Sequence, residues 1–399
     1  MAALHSALLA LLSRVWKFWM HGRQFVLNSK THLFPHLELR GSSYKIGQQD
    51  GKHLAPQTID QPAIYRDLFQ EACKFDWAHV RTVAEEFRAS IGQLAPHLLQ
   101  EMEGIADGLR ADAEQQWRTV DVLDIIALNA RSRWGQWDDG CTSLAWRIHI
   151  SSERVVLGQN WDWREGVGKN LAMVSIEQEG KSKIWTVPEP GIVGTGNSSS
   201  VGVLLTDIRA RPISTSLLPI HCLSLESDSV DSAIGTIEKL GGAASSQHIL
   251  IADFHKARGL ELSPRGRVYL PEDANGIVVH TNHFLENKLV DEPPWLSGSS
   301  VRLTRAREIC GELVQELGDD RVREKGIDAK FAARTLLLRH LQLSASDLLF
   351  NGPELIARIQ TFFNIVMMFG EGKEPQASAE VVFRKLSSGE ESEVFRMSW

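Results

Sequence analysis

Asp139-Gly140-Cys141-Thr142 stands where the chain changes from helical to extended patterning. Upstream, Gly41 and Gly47 mark a short entry. Ile64, Leu68, Phe69, Cys73, Trp77, Val80, Val83 and Phe87 then recur at three- and four-residue steps, the spacing of helices with one buried face. Residues 98–109 and 120–130 continue in that style. Downstream, short apolar runs at 144–149, 154–158, 172–178, 183–187 and 201–206 are separated by Gly, Pro and Ser, which predicts strands. A helix is expected at 228–240, strands at 248–252, 260–262, 268–270 and 277–280, and two or three helices between 301 and 349. The end, 359–369 and 380–386, reads as a hairpin around Gly370-Glu371-Gly372-Lys373-Glu374-Pro375. Helices flanking two strand clusters predict an α+β fold, with two sheets face to face and helices covering both outer sides.

Composition narrows what such a fold can do. With 43% apolar and 23% charged residues over 399 positions, the chain is globular and long enough for a large core. Its 43 basic residues are outnumbered by 50 acidic ones, so no overall positive field draws it to nucleic acid. The four cysteines, Cys73, Cys141, Cys222 and Cys310, never form a C-x-x-C pair, which points away from a disulfide framework or a thiolate zinc site. A reducing, intracellular compartment, cytoplasmic or organellar, is the expectation. Residues 1–36 form an extension of different composition, with Arg14, Lys17, Arg23 and Lys30 but no acidic residue before Glu38. Leu8, Leu11, Leu12, Val15, Trp16 and Trp19 share helical spacing, which suits a membrane-interface contact, a targeting helix, or a helix docked on its own domain. The apolar stretch 7–12 is too short to span a bilayer and no basic region precedes it as in a secretory signal. Met397-Ser398-Trp399 is not a peroxisomal address.

The sequence has no H-E-x-x-H, no Walker loop and no G-x-S-x-G, and Gly194-Thr195-Gly196 lacks the third glycine of a dinucleotide fingerprint. The chemistry therefore centres on Cys141. A preceding glycine leaves the Gly140 carbonyl open to attack by the cysteine's own thiol, an N→S acyl shift. Hydrolysis of that thioester would cut the chain at Gly140/Cys141 and free an α-amine. Such an amine titrates near 7.7–8, so one residue would carry both nucleophile and base. Gly158-Gln159-Asn160-Trp161-Asp162-Trp163 closes a strand expected to pair with the one after Cys141, bringing Asp162 near the new terminus. Asn282, in His280-Thr281-Asn282-His283, is a candidate side-chain donor to an oxyanion.

These motifs, together with Gly259-Leu260-Glu261-Leu262-Ser263-Pro264 and the stretches Gly41 to Gly51, Glu103-Gly104-Ile105-Ala106 and Leu128-Asn129-Ala130-Arg131, stand in an order that resembles one family. It is the acyl-coenzyme A:6-aminopenicillanic acid acyltransferase (isopenicillin N acyltransferase) family of self-cleaving cysteine N-terminal-nucleophile (Ntn) hydrolases. The resemblance covers about residues 37 to 370. It implies a four-layer αββα sandwich made as a precursor and cut into an N-terminal chain, 1–140, and a catalytic chain, 141–399. It also implies Cys141 as nucleophile, Asp162 beside its amine and Asn282 at the oxyanion. Where relatives carry N-S-x-G and then asparagines at the end of the next strand, this chain reads Ser199-Ser200-Val201-Gly202 and Thr206-Asp207-Ile208. Thr206 is therefore a candidate substrate contact. No arginine matching that of the penicillin enzyme stands near Leu349-Phe350.

The expected activity is transfer of an acyl group from a thioester or amide to a small amine through acyl-Cys141, as in secondary metabolism. The rivals are an amidohydrolase acting on small amides such as β-alanyl amides, and an uncut, non-catalytic binding relative. A coenzyme A thioester would be a substrate; no metal or bound organic cofactor is implied. Partners would be the acyl donor, the amine and the two chains of the cut precursor. Trp134, Trp137, Trp146, Trp161 and Trp163 crowd the nucleophile in sequence, as pocket lining or as core. Asp162 has the alternative reading of a turn residue, and Asn282 that of a buried amide satisfying loop backbone. His280 and His283 either brace their loop or pair with the thiol.

Overall fold

The computed structural model describes residues 34–110, 120–131, 140–149, 153–193, 196–208, 210, 220–243, 245–292, 298–318, 359–370, 376–383 and 393–397. The chain divides into two units, Met1–Leu33 and Phe34–Trp399, and all described residues lie in the second. The expectations for the 1–36 stripe, for Trp134, Trp137 and Asp139, and for the helices after residue 318 lie wholly or largely outside the described residues.

The N-terminal part is helical: α1 (Ser43–His53), α2 (Ala55–Cys73), α3 (Trp77–Leu94), α4 (Pro96–Arg110) and α5 (Val122–Asn129). Gly47 does not punctuate a turn but lies inside α1. A Cβ on Gly47 would sit 1.9 Å from the Glu101 carbonyl oxygen, and one on Gly104 would sit 2.1 Å from that of Tyr44. Helices α1 and α4 thus cross backbone to backbone, an approach that any side chain there would block. The single helical pattern expected from 61 to 94 breaks at Lys74, the one non-glycine residue with positive φ among those described. Asp76 then caps α3 by accepting the His79 N–H. A capping box of Asp121 and Asp124 starts α5, and Arg81 bridges both carboxylates.

The strands are β1 (His36–Arg40), β2 (Thr142–His149), β3 (Glu153–Arg164), β4 (Met173–Glu177), β5 (Ile184–Thr186), β6 (Gly196–Ser198) and β7 (Gly202–Asp207). There follow β8 (Gln247–Ala252), β9 (Ala257–Ser263), β10 (Gly266–Leu270), β11 (Ile277–His280), β12 (Ile359–Gly370), β13 (Gln376–Phe383) and β14 (Glu393–Met397). Short helices α6 (Glu165–Gly168), α7 (Ile220–Leu225) and α8 (Val230–Lys239) intervene, and α9 (Ser299–Gly318) precedes β12. The strands form an eight-stranded sheet, β1-β4-β5-β6-β7-β8-β9-β10, and a six-stranded sheet, β11-β2-β3-β12-β13-β14.

Side-chain alternation shows the layering. Leu144, Trp146 and Ile148 of β2 pack beneath Leu303, Ala306, Ile309 and Leu313 of α9. Ala145, Val155, Leu157, Ile365 and Met367 face the other way, into the core shared with Val203, Ile249, Ile251 and Leu260 of the eight-stranded sheet. Leu39 and Val174 of that sheet bury Ile46 of α1. The result is the expected α+β sandwich of four layers. Trp146 belongs to the core under α9.

Candidate active site

Hairpin register puts the pieces together. Thr142 lies opposite Asn160 and Ser143 opposite Gln159, so two residues further on Asp162 meets Gly140. A Cβ on Gly140 would lie 3.0 Å from Asp162 Oδ2 and 3.1 Å from its Cβ. Glycine is thus the residue that leaves the carboxylate its place. Asp162 is not a turn residue: β3 continues to Arg164, and Asp162 pairs with Thr361 of β12, whose hydroxyl donates to Oδ1 at 2.5 Å. The register of β12 slips between Thr361 and Phe363, a bulge directly beside this carboxylate, and bulges re-aim side chains in this way. Next to it Asn364 Nδ2 donates to Asn160 Oδ1, a buried amide pair.

Cys141 is 3% exposed. Continuing the alternation of β2 by one residue turns its side chain toward the inter-sheet core, away from Thr142. On the α9 side stands a residue that the sequence reading missed. Arg302, buried in the first turn of α9, donates through Nη1 to the Gly140 carbonyl at 3.0 Å, the Cys141 carbonyl at 2.5 Å and Thr142 Oγ1 at 3.0 Å. Its Nη2 donates to Asn282 Oδ1 at 2.7 Å. These four acceptors are neutral oxygens. The signal in the sequence is slight: an arginine in the first helical turn, where the macrodipole favours anions.

Asn282 follows β11 and is 2% exposed. The Arg302 contact fixes which end of its amide is oxygen, and Nδ2 donates to the Asp207 carbonyl at 3.1 Å. It therefore does satisfy loop backbone. The two histidines flanking Asn282 brace their surroundings. His280 Nε2 meets Glu261 Oε1 at 2.9 Å, and its ring stacks on His248 at 3.6 Å. Burial holds both imidazoles below their ordinary pKa. His283 Nδ1 meets Ser299 Oγ at 2.7 Å, and burial pushes its pKa down to about 4.

Trp163 is core, while Trp161 is half-buried and stacks on Phe363 at 5.3 Å between centroids. Thr206 is fully buried opposite His248, one residue before the Asp207 carbonyl that holds Asn282. Of the cysteines, Cys310 lies on the buried face of α9 with its thiol pushed up to about 12 by desolvation, and Cys73 is half-buried. Among the described residues no group of three or more His, Cys, Asp or Glu side chains is placed to hold a metal ion. Nor is any helix among them long and apolar enough to cross a membrane.

Two facing sheets between helical layers, with Gly140-Cys141 entering one of them beside a carboxylate and a carboxamide, define a sandwich of the N-terminal-nucleophile type. The family model described as acyl-coenzyme A:6-aminopenicillanic acid acyl-transferase matches residues 150–329, a span holding Asp162, Asn282 and Arg302. The acyl-coenzyme A:6-aminopenicillanic-acid-acyltransferase 40 kDa form of Emericella nidulans is 30% identical over 261 residues, covering 63% of this chain and 70% of that protein. The chain belongs to the acyl-coenzyme A:6-aminopenicillanic acid acyltransferase family. Among solved structures, the N-acylethanolamine-hydrolyzing acid amidase ortholog of Caenorhabditis elegans matches with 16% identity and a TM-score of 0.38, over 57% of this chain and 92% of that one.

Proposed function

We propose that this protein is an autoprocessed cysteine acyltransferase that carries acyl groups as a thioester on Cys141. The observation that carries the reading is the grip of Arg302 on the Gly140 carbonyl, next to Cys141 and beside Asp162. In the precursor the Cys141 thiol attacks the Gly140 carbonyl carbon. Negative charge develops on the Gly140 oxygen, where the guanidinium already donates. The C–N bond breaks, the departing nitrogen takes up a proton and becomes the α-amine of Cys141, and water hydrolyses the thioester. The products are a chain ending at Gly140 and a chain beginning at Cys141, held together by the core they share. Asp162, held by Thr361, favours the ammonium form of the new amine.

In turnover the α-amine accepts the thiol proton and the thiolate attacks a donor thioester or amide. The leaving thiol or amine takes that proton, and an acceptor amine then releases the acyl group from sulfur. The Asn282 side-chain amide serves the tetrahedral oxyanion. Coenzyme A thioesters and small amines are the substrate classes, as the relative's name suggests. Trp161 and Thr206 are the residues proposed to shape the acyl site, with Trp163 in the core behind them, and Trp134 is proposed with them from its place in the sequence.

Intact mass and Edman sequencing test the processing step: the mature protein gives a new terminus Cys-Thr-Ser, Cys141→Ala stays uncut, and Cys141→Ser cuts slowly by the analogous N→O shift. A single uncut species with full activity would remove the reading. Incubation with an acyl-coenzyme A, with and without amines, separates transfer from the amidohydrolase alternative: an amide product supports transfer, and free acid alone supports hydrolysis.

A further inference from the structure

Two buried histidines meet where the two sheets face each other, and the mechanism above uses neither. His248 belongs to β8 of the eight-stranded sheet and His280 to β11 of the six-stranded sheet. Both are fully buried, and their rings stack at 3.6 Å between centroids with 12° between planes. Glycine makes room for the first ring: a Cβ on Gly259 would lie 2.8 Å from His248 Nε2. Among the described residues neither ring nitrogen of His248 has a hydrogen-bond partner, nor does His280 Nδ1.

The charged groups around this stack are already engaged or carry the wrong sign. Glu261 of β9 lies opposite His248 in register, but its Oε1 faces His280 Nε2 at 2.9 Å and accepts the Leu285 N–H at 2.5 Å. Its Oε2 accepts the Glu286 N–H at 3.0 Å and the Asn287 N–H at 2.7 Å. Burial pushes this carboxyl up, but donation by His280 and by the backbone outweighs it and holds the group below its ordinary range. Arg307 of α9 opposes charge on His280, and Arg302 of α9 and Lys288 oppose it on His283. The register partners of the two rings are Thr206 on β7 and Ser143 on β2, with Cys141 two residues before Ser143 on the same face. A proton on His248 would therefore place a charge in the core with burial and His280 both against it.

We propose that the stacked His248–His280 pair is an acid-labile latch between the two sheets, which holds while His248 is uncharged and opens when that ring takes a proton. The latch operates whether or not the chain is cut before Cys141. An unfolded chain takes the proton near pH 6.5, and the folded chain does not. The contribution of the latch is therefore complete above about pH 7 and is lost as pH falls. One such proton costs about 30-fold in the folding equilibrium constant between about pH 7.5 and pH 5.

The test is urea unfolding of the full-length protein at one concentration and at these two pH values, for the parent, His248→Phe and His248→Leu. Both variants fill the position with an apolar side chain that cannot titrate. Each is expected to lose about 30-fold less than the parent on acidification. Carboxyls that titrate in the same range are common to all three, so the difference isolates the ring. Hydrogen–deuterium exchange at the His248 C2 carbon of the folded parent, read by mass spectrometry, is expected to show no inflection near pH 6.5, and it decides where a variant does not fold. Parent and variants that lose stability in parallel overturn the proposal, as does an inflection near pH 6.5 at His248 in the folded protein.

Discussion

Arg302→Ala is the perturbation that most directly probes the site. It deletes four hydrogen bonds, to the Gly140 and Cys141 carbonyls, Thr142 Oγ1 and Asn282 Oδ1. Only the first grows stronger as charge moves onto the Gly140 oxygen. A donor aimed at a developing oxyanion is worth about 2.7–4 kcal/mol, or about 100- to 1,000-fold in rate. The other contacts act on ground-state structure. Losing a hydrogen bond to a buried acceptor costs about 1–3 kcal/mol, offset in part because a desolvated cation is also removed. Cleavage should therefore fall about 100- to 1,000-fold, against a net stability loss expected to be only a few kcal/mol. Arg302→Lys keeps the charge but not the fork, so it should lose less stability and still cut far more slowly than the parent. The assay is the first-order rate of appearance of the Cys141 terminus, with urea unfolding of each variant in parallel. Folded Arg302→Ala precursor that cuts within about threefold of the parent, where about 100-fold is expected, would refute the argument.

Two further outcomes follow from geometry. Gly140→Ala places a Cβ 3.0 Å from Asp162 Oδ2 and 3.1 Å from its Cβ, while Thr361 holds the other carboxylate oxygen. Cleavage should slow at least about tenfold from the displaced groups, with a melting temperature within a few degrees of the parent; an unchanged rate would show that Asp162 plays no part in the cut. Stability should also fall with alkalinity through α1 and α4. Burial raises Asp50 to about 7, and burial with the nearby Asp50 charge raises Glu101 to about 8. Asp50 Oδ1 has no hydrogen-bond partner. Each carboxyl keeps its proton in the folded chain after the unfolded chain has lost it. Their contribution is therefore complete below about pH 4 and declines as pH rises toward 7 and 8, by up to about 1.4 kcal/mol per pH unit for each proton. Urea titrations between pH 5 and 9 should show Glu101→Gln with a shallower decline than the parent; identical slopes would contradict the burial argument.

The hairpin from β2 to β3 was legible because glycine, polar and apolar residues alternate with period 2 on either side of a turn, and register follows from that pattern. It brought Asp162 to Gly140 with no tertiary information. Gly47 of α1 read as a turn signal, since a glycine needed for a free φ and one needed for close approach look the same in a sequence. Edge strands β1 and β14 were missed: each is five residues long, and such short runs carry too little periodicity to separate from loop.

The sequence by itself determined the nucleophile candidate, its neighbouring carboxylate and carboxamide, and the division into helical and extended parts, because all of these are written in local spacing and residue type. Tertiary structure decided what the Gly140 carbonyl and Asn282 touch. Arg302 lies far along the chain from Gly140 and reaches it only because α9 packs across the outer face of β2 and β11. Glu261 likewise meets its loop only where β9 passes behind β11. Contacts of that kind depend on how layers stack, and no short-range pattern encodes the stacking.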